Sequence, residues 1–261
     1  MIGAGTGLGE CYLTHNGSVY NVIACEGGHA DFAPRSPLEF DIAQHILRTT
    51  PSQPGSKELI DRVSIERVCS GLGIPKIYEY LVSKRGSEAN KTVLAAARVE
   101  KADVGRIVAE AAKAGTCPLC IEAMDIFTSA YGAEAGNLAL KFMPFGGLYI
   151  AGGIAGKNMQ IIRKNNQFVR ARQFTPQAYR KRCAPFAHCC LACGVCACFC
   201  VVLQVNNFLA KGRMRDVLRR MPIYLINFEG VGMLGSKVIC RRTIFDALEQ
   251  NKLNMPLRAK L

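Results

Sequence analysis

Apolar and polar positions alternate near the N-terminus and take up helical spacing farther along the chain. Apolar runs at 11–13 and 18–24 flank His15-Asn16-Gly17, and Asn-Gly between such runs is typical of a β-hairpin. Before the hairpin, Ile2 is followed by glycine at every second position from Gly3 to Gly9. This pattern predicts a short strand that runs into a tight turn.

Helical signals begin at Ser36-Pro37-Leu38-Glu39, where Ser can cap a helix, Pro fits the first turn and Glu completes a capping box. That helix is expected to reach about Arg48. Apolar spacing predicts further helices over 64–70, 75–83, 102–114, 118–140, 158–167, 211–221 and 237–250, with buried strands at 146–153 and 223–228. Mixed helices and strands of this kind indicate an α/β or α+β fold.

Composition narrows the function classes only a little. The 261 residues suit one large domain or two small ones with a real core. The net charge of +13 raises the question of a nucleic-acid partner. The basic residues are scattered and do not interleave with aromatics, so we expect no nucleic acid. Residues 1–9 have no signal-peptide pattern, and the thirteen cysteines are therefore expected to be mostly reduced.

A few short segments carry candidate chemistry. Gly3-Ala4-Gly5-Thr6-Gly7-Leu8-Gly9 is a loop type in which amides and a Thr hydroxyl bind phosphate, although it lacks the Walker A lysine. Glu26 and His29 together can bind vicinal sugar hydroxyls, but a surface Glu and a structural His would look the same. Glu66 alone is an ordinary helix carboxylate. Gly152-Gly153 either approaches a nucleotide or simply turns the chain.

Taken together, these segments resemble one family. Their order and spacing are similar to those of the bacterial-type glucokinases of the hexokinase/actin-like ATPase superfamily, over almost the whole chain except 169–204. The matching stretches are Gly-Ala-Gly-Thr-Gly-Leu-Gly (3–9), Glu-Gly-Gly-His-Ala-Asp-Phe-Ala-Pro-Arg (26–35), Val-Ser-Ile-Glu-Arg-Val-Cys-Ser-Gly-Leu-Gly (63–73), Ala-Gly-Asn-Leu-Ala-Leu (135–140), Gly-Gly-Leu-Tyr-Ile-Ala-Gly-Gly-Ile (146–154), and shorter runs at 211–214, 222–226 and 232–236.

The resemblance implies a fold and an activity. The fold is the actin-like ATPase (ribonuclease H-like) sugar-kinase fold, mainly its large domain, over 1–235. The activity is ATP-dependent phosphorylation of the glucose 6-hydroxyl, with ATP and Mg²⁺ as cofactors and no protein metal site. The implied site residues are Glu26, His29 and Glu66 for glucose, Gly5, Thr6 and Gly7 for phosphate, and Gly152 and Gly153 for adenosine.

Part of the family pattern is missing from this sequence. The smaller N-terminal domain of the family carries an Asp-x-Gly-Gly-Thr phosphate loop and an Asn-Asp pair whose Asp is the general base. We therefore expect no turnover by these residues alone; the alternative is a non-catalytic sugar-binding pseudokinase fragment. The segment 236–261 is expected to be a helix of the missing domain with a targeting tail. Its uncovered apolar positions would favour aggregation: Val238, Ile239, Ile244, Ala247 and Leu248.

Residues 169–204 differ from the rest of the chain. Seven cysteines lie between Cys183 and Cys200, and Cys190-x-x-Cys193-x-x-Cys196 beside His188 could bind zinc. The uncharged stretch 184–205 is long enough for a weak membrane span. We favour a third interpretation, a translated intron, because deleting the segment restores the spacing of the family. We therefore expect neither a membrane span nor a bound metal. The alternative to the intron is a genuine insertion in the protein.

The tail and one cysteine pair complete the expectations. Ala259-Lys260-Leu261 fits the Ser-Lys-Leu class of peroxisomal address, and resemblance to kinetoplastid members implies glycosomes or peroxisomes reached through the import receptor. The alternative is the cytoplasm. Further expected partners are glucose, ATP and a second copy of the chain in a homodimer. Cys117-x-x-Cys120 is predicted to be two buried thiols on a helix rather than a redox pair.

Overall fold

The structure is a computed structural model that describes residues 1–17, 20–99, 103–158, 198–199, 205–226 and 230–253. The chain divides into one unit of Met1–Asn227 and a second of Phe228–Leu261. The first unit mixes strands and helices, which confirms the expected α/β class. In the second unit, the described residues 230–253 hold one long helix.

The first unit is built on a single sheet. Its strand order is β3-β2-β1-β4-β6-β5. Strands β1 to β3 form an antiparallel meander, whereas β1, β4 and β6 run parallel and β5 is antiparallel to β6. The strands are β1 (Ile2–Ala4), β2 (Leu8–His15), β3 (Tyr20–Cys25), β4 (Leu148–Ala151), β5 (Cys198–Phe199) and β6 (Ile223–Ile226).

The predicted hairpin is present as β2 and β3. Its register runs from the Glu10–Cys25 pair to the His15–Tyr20 pair. Gly17 at the turn has a φ of 96°, a backbone conformation that glycine adopts without a steric penalty. The hairpin that Asn-Gly predicted is therefore confirmed.

Helices cover the sheet, and α5 lies at their centre. Helices α2, α4 and α7 all pack against α5, which is buried along most of its length. This explains why its sequence is apolar on nearly every face. The helices are α1 (Pro37–Thr49), α2 (Gly73–Arg85), α3 (Lys91–Ala96), α4 (Val104–Ala114), α5 (Pro118–Phe142), α6 (Gly153–Lys157), α7 (Val205–Leu209), α8 (Arg215–Leu218) and α9 (Val231–Leu253).

The start of α1 follows the predicted capping signal with one difference. The Ser36 hydroxyl accepts a hydrogen bond from the Glu39 amide at 3.2 Å, as an N-cap does. The Glu39 carboxylate accepts instead from the Arg35 amide at 2.7 Å, one residue before the cap, and pairs with the Arg35 guanidinium. The charged partner on Arg35 explains why this carboxylate does not close the usual capping box.

Two predicted helices were wrong in extent. The segment 64–70 contains only a 3₁₀ turn, Ile65–Arg67, because the backbone on either side of Ser64 is hydrogen-bonded to the segment after His29. The segment 211–221 begins with a 3₁₀ turn and continues as the four-residue α8. Gly212 has a left-handed φ of 52°, which an α-helix cannot contain.

Other boundaries also moved. The short helices α3 and α7 were not predicted, and the strand expected over 146–153 shortens to β4. Helix α9 begins at Val231, six residues before the predicted start. On α9, Ile239 and Ile244 are exposed, as expected for two of its apolar positions. The helix predicted at 158–167 lies outside the described residues except for Asn158.

The cysteine pair at the start of α5 is confirmed as two buried thiols. Cys117 and Cys120 are 1% and 0% exposed and neither is in a disulfide. The Cys117 sulfur accepts a hydrogen bond from the Cys120 amide at 3.3 Å and so caps the helix. Burial raises the pKa of the Cys120 thiol, which makes it a poor nucleophile.

Across the described part of the chain, no helix is both long and apolar enough to cross a membrane.

Candidate functional site

A tight glycine turn joins β1 to β2 and forms the first part of the site. The Gly5 amide donates to the Gly7 carbonyl at 2.8 Å, and Thr6 is exposed at the tip. A side chain on Gly5 would meet no atom within 4 Å, whereas one on Gly7 would overlap the Glu66 carboxylate. The turn therefore has one packed flank and one open flank, and the open flank beside Gly5 leaves room for a ligand next to the exposed Thr6.

The second glycine segment lies beside the first. Gly3 of β1 pairs with Ala151 of β4, so the two parallel strands end together. Gly152 follows with a φ of 90°, and a Cβ there would lie only 2.9 Å from the Ala4 nitrogen. Open space surrounds the corresponding position on Gly153. Both glycine segments thus meet at the carboxyl edge of the parallel strands, where α/β sheets commonly bind ligands.

Backbone pairing brings the three predicted sugar-binding side chains together. The segment after His29 pairs with the segment before Glu66, through the Phe32 amide to the Val63 carbonyl and the Ile65 amide to the Ala30 carbonyl, both at 2.8 Å. A 3₁₀ turn adjoins each paired segment, Gly27–His29 before the first and Ile65–Arg67 after the second. Glu26 precedes the first turn, and His29 and Glu66 lie within the two turns.

The resulting cluster has a central imidazole and two flanking carboxylates. The His29 Nε2 lies 3.7 Å from a Glu26 carboxylate oxygen, and its Nδ1 lies 4.0 Å from one of Glu66. Glu26 and His29 are exposed, while Glu66 is 24% exposed. Exposed pairs of this kind add little stability. They do offer acceptors and an N–H donor to a ligand rich in hydroxyls.

Glu66 connects the cluster to the glycine turn. One carboxylate oxygen faces His29, and the other accepts a hydrogen bond from the Leu8 amide at 3.0 Å. Five residues farther on, the Gly71 amide donates to the Gly5 carbonyl at 2.8 Å. The segment that carries Glu66 is thus fixed to both ends of the turn, so the predicted sugar and phosphate sites share one rigid frame.

Arg62 holds the loop that carries His29, and sequence reasoning missed it. Its guanidinium donates to the His29 carbonyl at 2.8 Å and to the Asp31 carboxylate at 3.0 Å. Arg35 fixes the far end of the same loop by donating to Ser129 on α5 at 2.8 Å and to Asn207 on α7 at 3.1 Å. The acidic and basic residues of this stretch therefore position the loop.

Sequence reasoning also missed Tyr131 on α5, whose hydroxyl contacts the strand that leads into the glycine turn. Its hydroxyl accepts a hydrogen bond from the Ala4 amide at 3.2 Å and lies 3.3 Å from the Ile2 carbonyl. The side chain is fully buried, and burial raises its pKa, so it stays protonated. A tyrosine at a buried position of a long helix was the available signal, since a buried hydroxyl needs a partner.

The residues present suit a nucleotide that brings its own magnesium. Within the ranges that the structure describes, no group of three or more His, Cys, Asp or Glu side chains is arranged to hold a metal ion. Magnesium is commonly held by phosphate oxygens and water with few protein ligands. The open backbone at Gly5 and Gly153 suits phosphate and nucleotide approach.

The tail Ala259–Leu261 and all of 169–204 except 198–199 lie outside the described residues, so the predictions made there stay predictions.

Known proteins match this chain over most of its length. A family model described as Glucokinase matches residues 1–179. A glucokinase from a Nostoc species is 36% identical over 251 residues, covering 93% of this chain and 60% of the relative. The chain thus spans about 60% of the length of the curated relatives that it matches.

Solved structures agree at the level of the fold. The glucokinase of an Antarctic psychrotroph has a TM-score of 0.57 at 23% identity, covering 92% of this chain and 57% of that one. A glucokinase from Balamuthia mandrillaris in complex with glucose has a TM-score of 0.54 at 16% identity, covering 86% and 48%. These likenesses confirm the actin-like ATPase fold. Since the matching family model spans both glycine segments and the cluster around His29, the chain belongs to the glucokinase family.

Proposed function

We propose that this chain provides the glucose-binding and phosphate-binding parts of a glucokinase, the kinase that transfers the terminal phosphoryl group of ATP to the glucose 6-hydroxyl. The observation that carries the proposal is the position of Glu66. Its carboxylate faces the His29 imidazole at 4.0 Å and binds the Leu8 amide of the glycine turn at 3.0 Å. A sugar held by the cluster therefore lies beside the phosphate turn.

This arrangement supplies what phosphoryl transfer needs most from a protein, which is positioning. Glu26, His29 and Glu66 hold and orient the sugar hydroxyls, and the Gly5-Thr6-Gly7 turn receives the transferred phosphate. Gly152 and Gly153 let the adenosine approach the backbone closely. When bound, Mg²⁺ and ATP supply the phosphoryl group and neutralise its charge.

We further propose that these 261 residues bind glucose without phosphorylating it. The sequence contains neither an Asp-x-Gly-Gly-Thr loop nor an Asn-Asp pair, so it supplies no general base at the family position. The same observation favours the second candidate function, a sugar-binding pseudokinase. The glucose-bound glucokinase from Balamuthia mandrillaris supports glucose as the ligand.

Calorimetric titration of the 261-residue chain with glucose tests the binding proposal. We expect saturable binding by the native chain and by Glu110→Gln, a control on the exposed face of α4 that removes an exposed partner of Arg106. Glu66→Ala should weaken binding at least about tenfold. A native chain that binds no glucose would contradict the proposal.

In a coupled assay with ATP, turnover of glucose by this chain would contradict the proposed lack of catalysis. Mannose and glucosamine titrations decide the preferred sugar.

The C-terminal tripeptide supports a proposed location in glycosomes or peroxisomes, with the import receptor as partner. A fluorescent protein ending in residues 255–261 should collect in these organelles, and the same fusion without Ala259–Leu261 should not. A diffuse signal from the complete fusion would favour the cytoplasm.

Sedimentation of the purified chain tests the proposed homodimer.

For residues 169–204 we keep the proposal of a translated intron. Reading the native transcript through codon 205 tests it directly. A transcript that lacks codons 169–204 supports the intron, whereas one that contains them makes the cysteine-rich stretch a real insertion. In the second case the zinc content of the purified protein decides whether its cysteines bind metal.

A further inference from the structure

Glu10 occupies an unusual position next to the loop that carries His29. It lies in β2 and is only 8% exposed. It is paired with Ile2 of β1 on one side and with Cys25 of β3 on the other. Among the described residues no hydrogen-bond donor reaches its buried Oε1. A carboxyl group buried without a partner is costly, so its presence calls for a physical reason.

The reason lies in how the loop contacts β2. Gly27 and Gly28 come two and three residues after the end of β3 and lie against the start of β2. A Cβ on Gly27 would lie 2.7 Å from the carboxyl carbon of Glu10, and one on Gly28 would overlap the Leu8 carbonyl. Leu8 and Glu10 are two residues apart and so face the same side of the strand. The turn before His29 thus packs directly against the Glu10 carboxyl group.

We propose that Glu10 is a positioning residue for glucose binding: its buried carboxyl group sets the position of Gly27, and through it of Glu26 and His29, and ionisation of this group displaces the loop and weakens sugar binding. The inference rests on the proposed function only where it concerns glucose. The displacement of the loop is a property of this chain alone.

Several charged groups face Glu10 and set its ionisation. Burial and the Glu134 carboxylate on α5 raise its pKa to about 7. Lys141 on α5 and the Met1 amino group just before β1 act in the opposite direction. The ionised form would therefore be buried beside a like charge, and loop movement that admits water relieves this cost. The other titratable groups near Glu10 are Cys25, Cys69 and Tyr131.

Selective ¹⁵N-glycine labelling and NMR of the full chain test the loop movement without glucose. The amide signals of Gly27 and Gly28 should shift with a midpoint near the Glu10 pKa of about 7. Glu10→Gln keeps the shape without the charge and should remove this shift. Glu134→Gln, which removes the like charge, should move the midpoint to lower pH. A residue that merely fills space would show neither effect.

Glucose titrations at two pH values extend the test to function. In the native chain the dissociation constant should rise by up to about tenfold per pH unit above the midpoint, whereas in Glu10→Gln it should stay flat. Glu110→Gln is the matched control and should behave as the native chain.

The outcomes separate the two proposals. Glycine signals that titrate without any glucose binding support the role of Glu10 in the loop and overturn the proposed function. Glucose binding with silent glycine signals overturns the role of Glu10 and leaves the proposed function standing. Glycine shifts that persist in Glu10→Gln overturn the role of Glu10 as well.

Discussion

The Leu8 amide donates a hydrogen bond to the Glu66 carboxylate at 3.0 Å, across 58 residues of sequence. This bond joins the glycine turn to the cluster around His29, since the other oxygen of the same carboxylate faces His29 at 4.0 Å. One side chain therefore has a structural role and, as proposed above, a role in sugar binding. The two roles can be tested separately, because the exposed pairing with His29 adds little stability, whereas a part-buried amide left without its partner is costly.

Replacing Glu66 in two ways separates these roles. Glu66→Gln keeps an oxygen that can accept from the Leu8 amide, so its free energy of unfolding should stay close to native. Glu66→Ala leaves the amide without its partner and should lose about 1–3 kcal/mol. Both variants should bind glucose at least about tenfold more weakly, because a charge-assisted hydrogen bond to the sugar is lost. Urea unfolding and calorimetry measure the two quantities; equal stability of both variants would contradict the structural role.

Gly152 and Gly153 provide a second matched pair. A Cβ on Gly152 would lie 2.8 Å from the Ala4 carbonyl carbon, and the residue has a φ of 90°. Gly152→Ala should therefore destabilise the fold by about 2 kcal/mol or more through strain and displacement of β1. Gly153→Ala meets open space and should change stability by no more than about 0.5 kcal/mol. Thermal unfolding of both variants checks this, and an equal loss in both would refute the packing argument.

Removing the Tyr131 hydroxyl tests the support under the phosphate turn. Tyr131→Phe leaves the Ala4 amide without its partner inside the protein and should cost about 1–2 kcal/mol. The half-buried ring of Tyr12 stacks on Phe142 at 4.4 Å between centroids, and Tyr12→Phe keeps this contact. This control should lie within about 0.5 kcal/mol of the native chain. Urea unfolding of the two variants measures the difference, and a native-like Tyr131→Phe would show that the turn does not depend on this bond.

The sequence revealed the parts of the site that are fixed by local chemistry. The Asn-Gly hairpin and the glycine turn after Ile2 could be predicted from neighbouring residues alone, whereas Glu26, His29 and Glu66 were singled out by the resemblance to the glucokinases. Local signals determine turns and motifs because the relevant residues are neighbours in the chain.

Contacts between distant segments could not be read in this way. The Tyr131–Ala4 hydrogen bond joins residues 127 positions apart, and the 3₁₀ turn at Glu66 replaces a predicted helix because of pairing with the segment after His29. Glu10 did carry a signal, since it takes an inward position of β2 where the alternation calls for an apolar residue. Its role depends on Gly27, which only the folded chain brings beside it.

The buried carboxyl group of Glu10 also predicts how stability depends on pH. Burial beside Glu134 raises its pKa from 4.5 to about 7, so between these values the folded chain holds a proton that the unfolded chain has released. The free energy of unfolding supplied by this group is therefore complete at low pH, falls as the pH rises through this window and stays low above it. In urea unfolding, Glu10→Gln should remove this part of the decline, whereas Glu110→Gln should keep it. If the native chain and Glu10→Gln lose stability in parallel from about pH 5 to about pH 8, the two forms of Glu10 are equally tolerated and its burial does not depend on the proton.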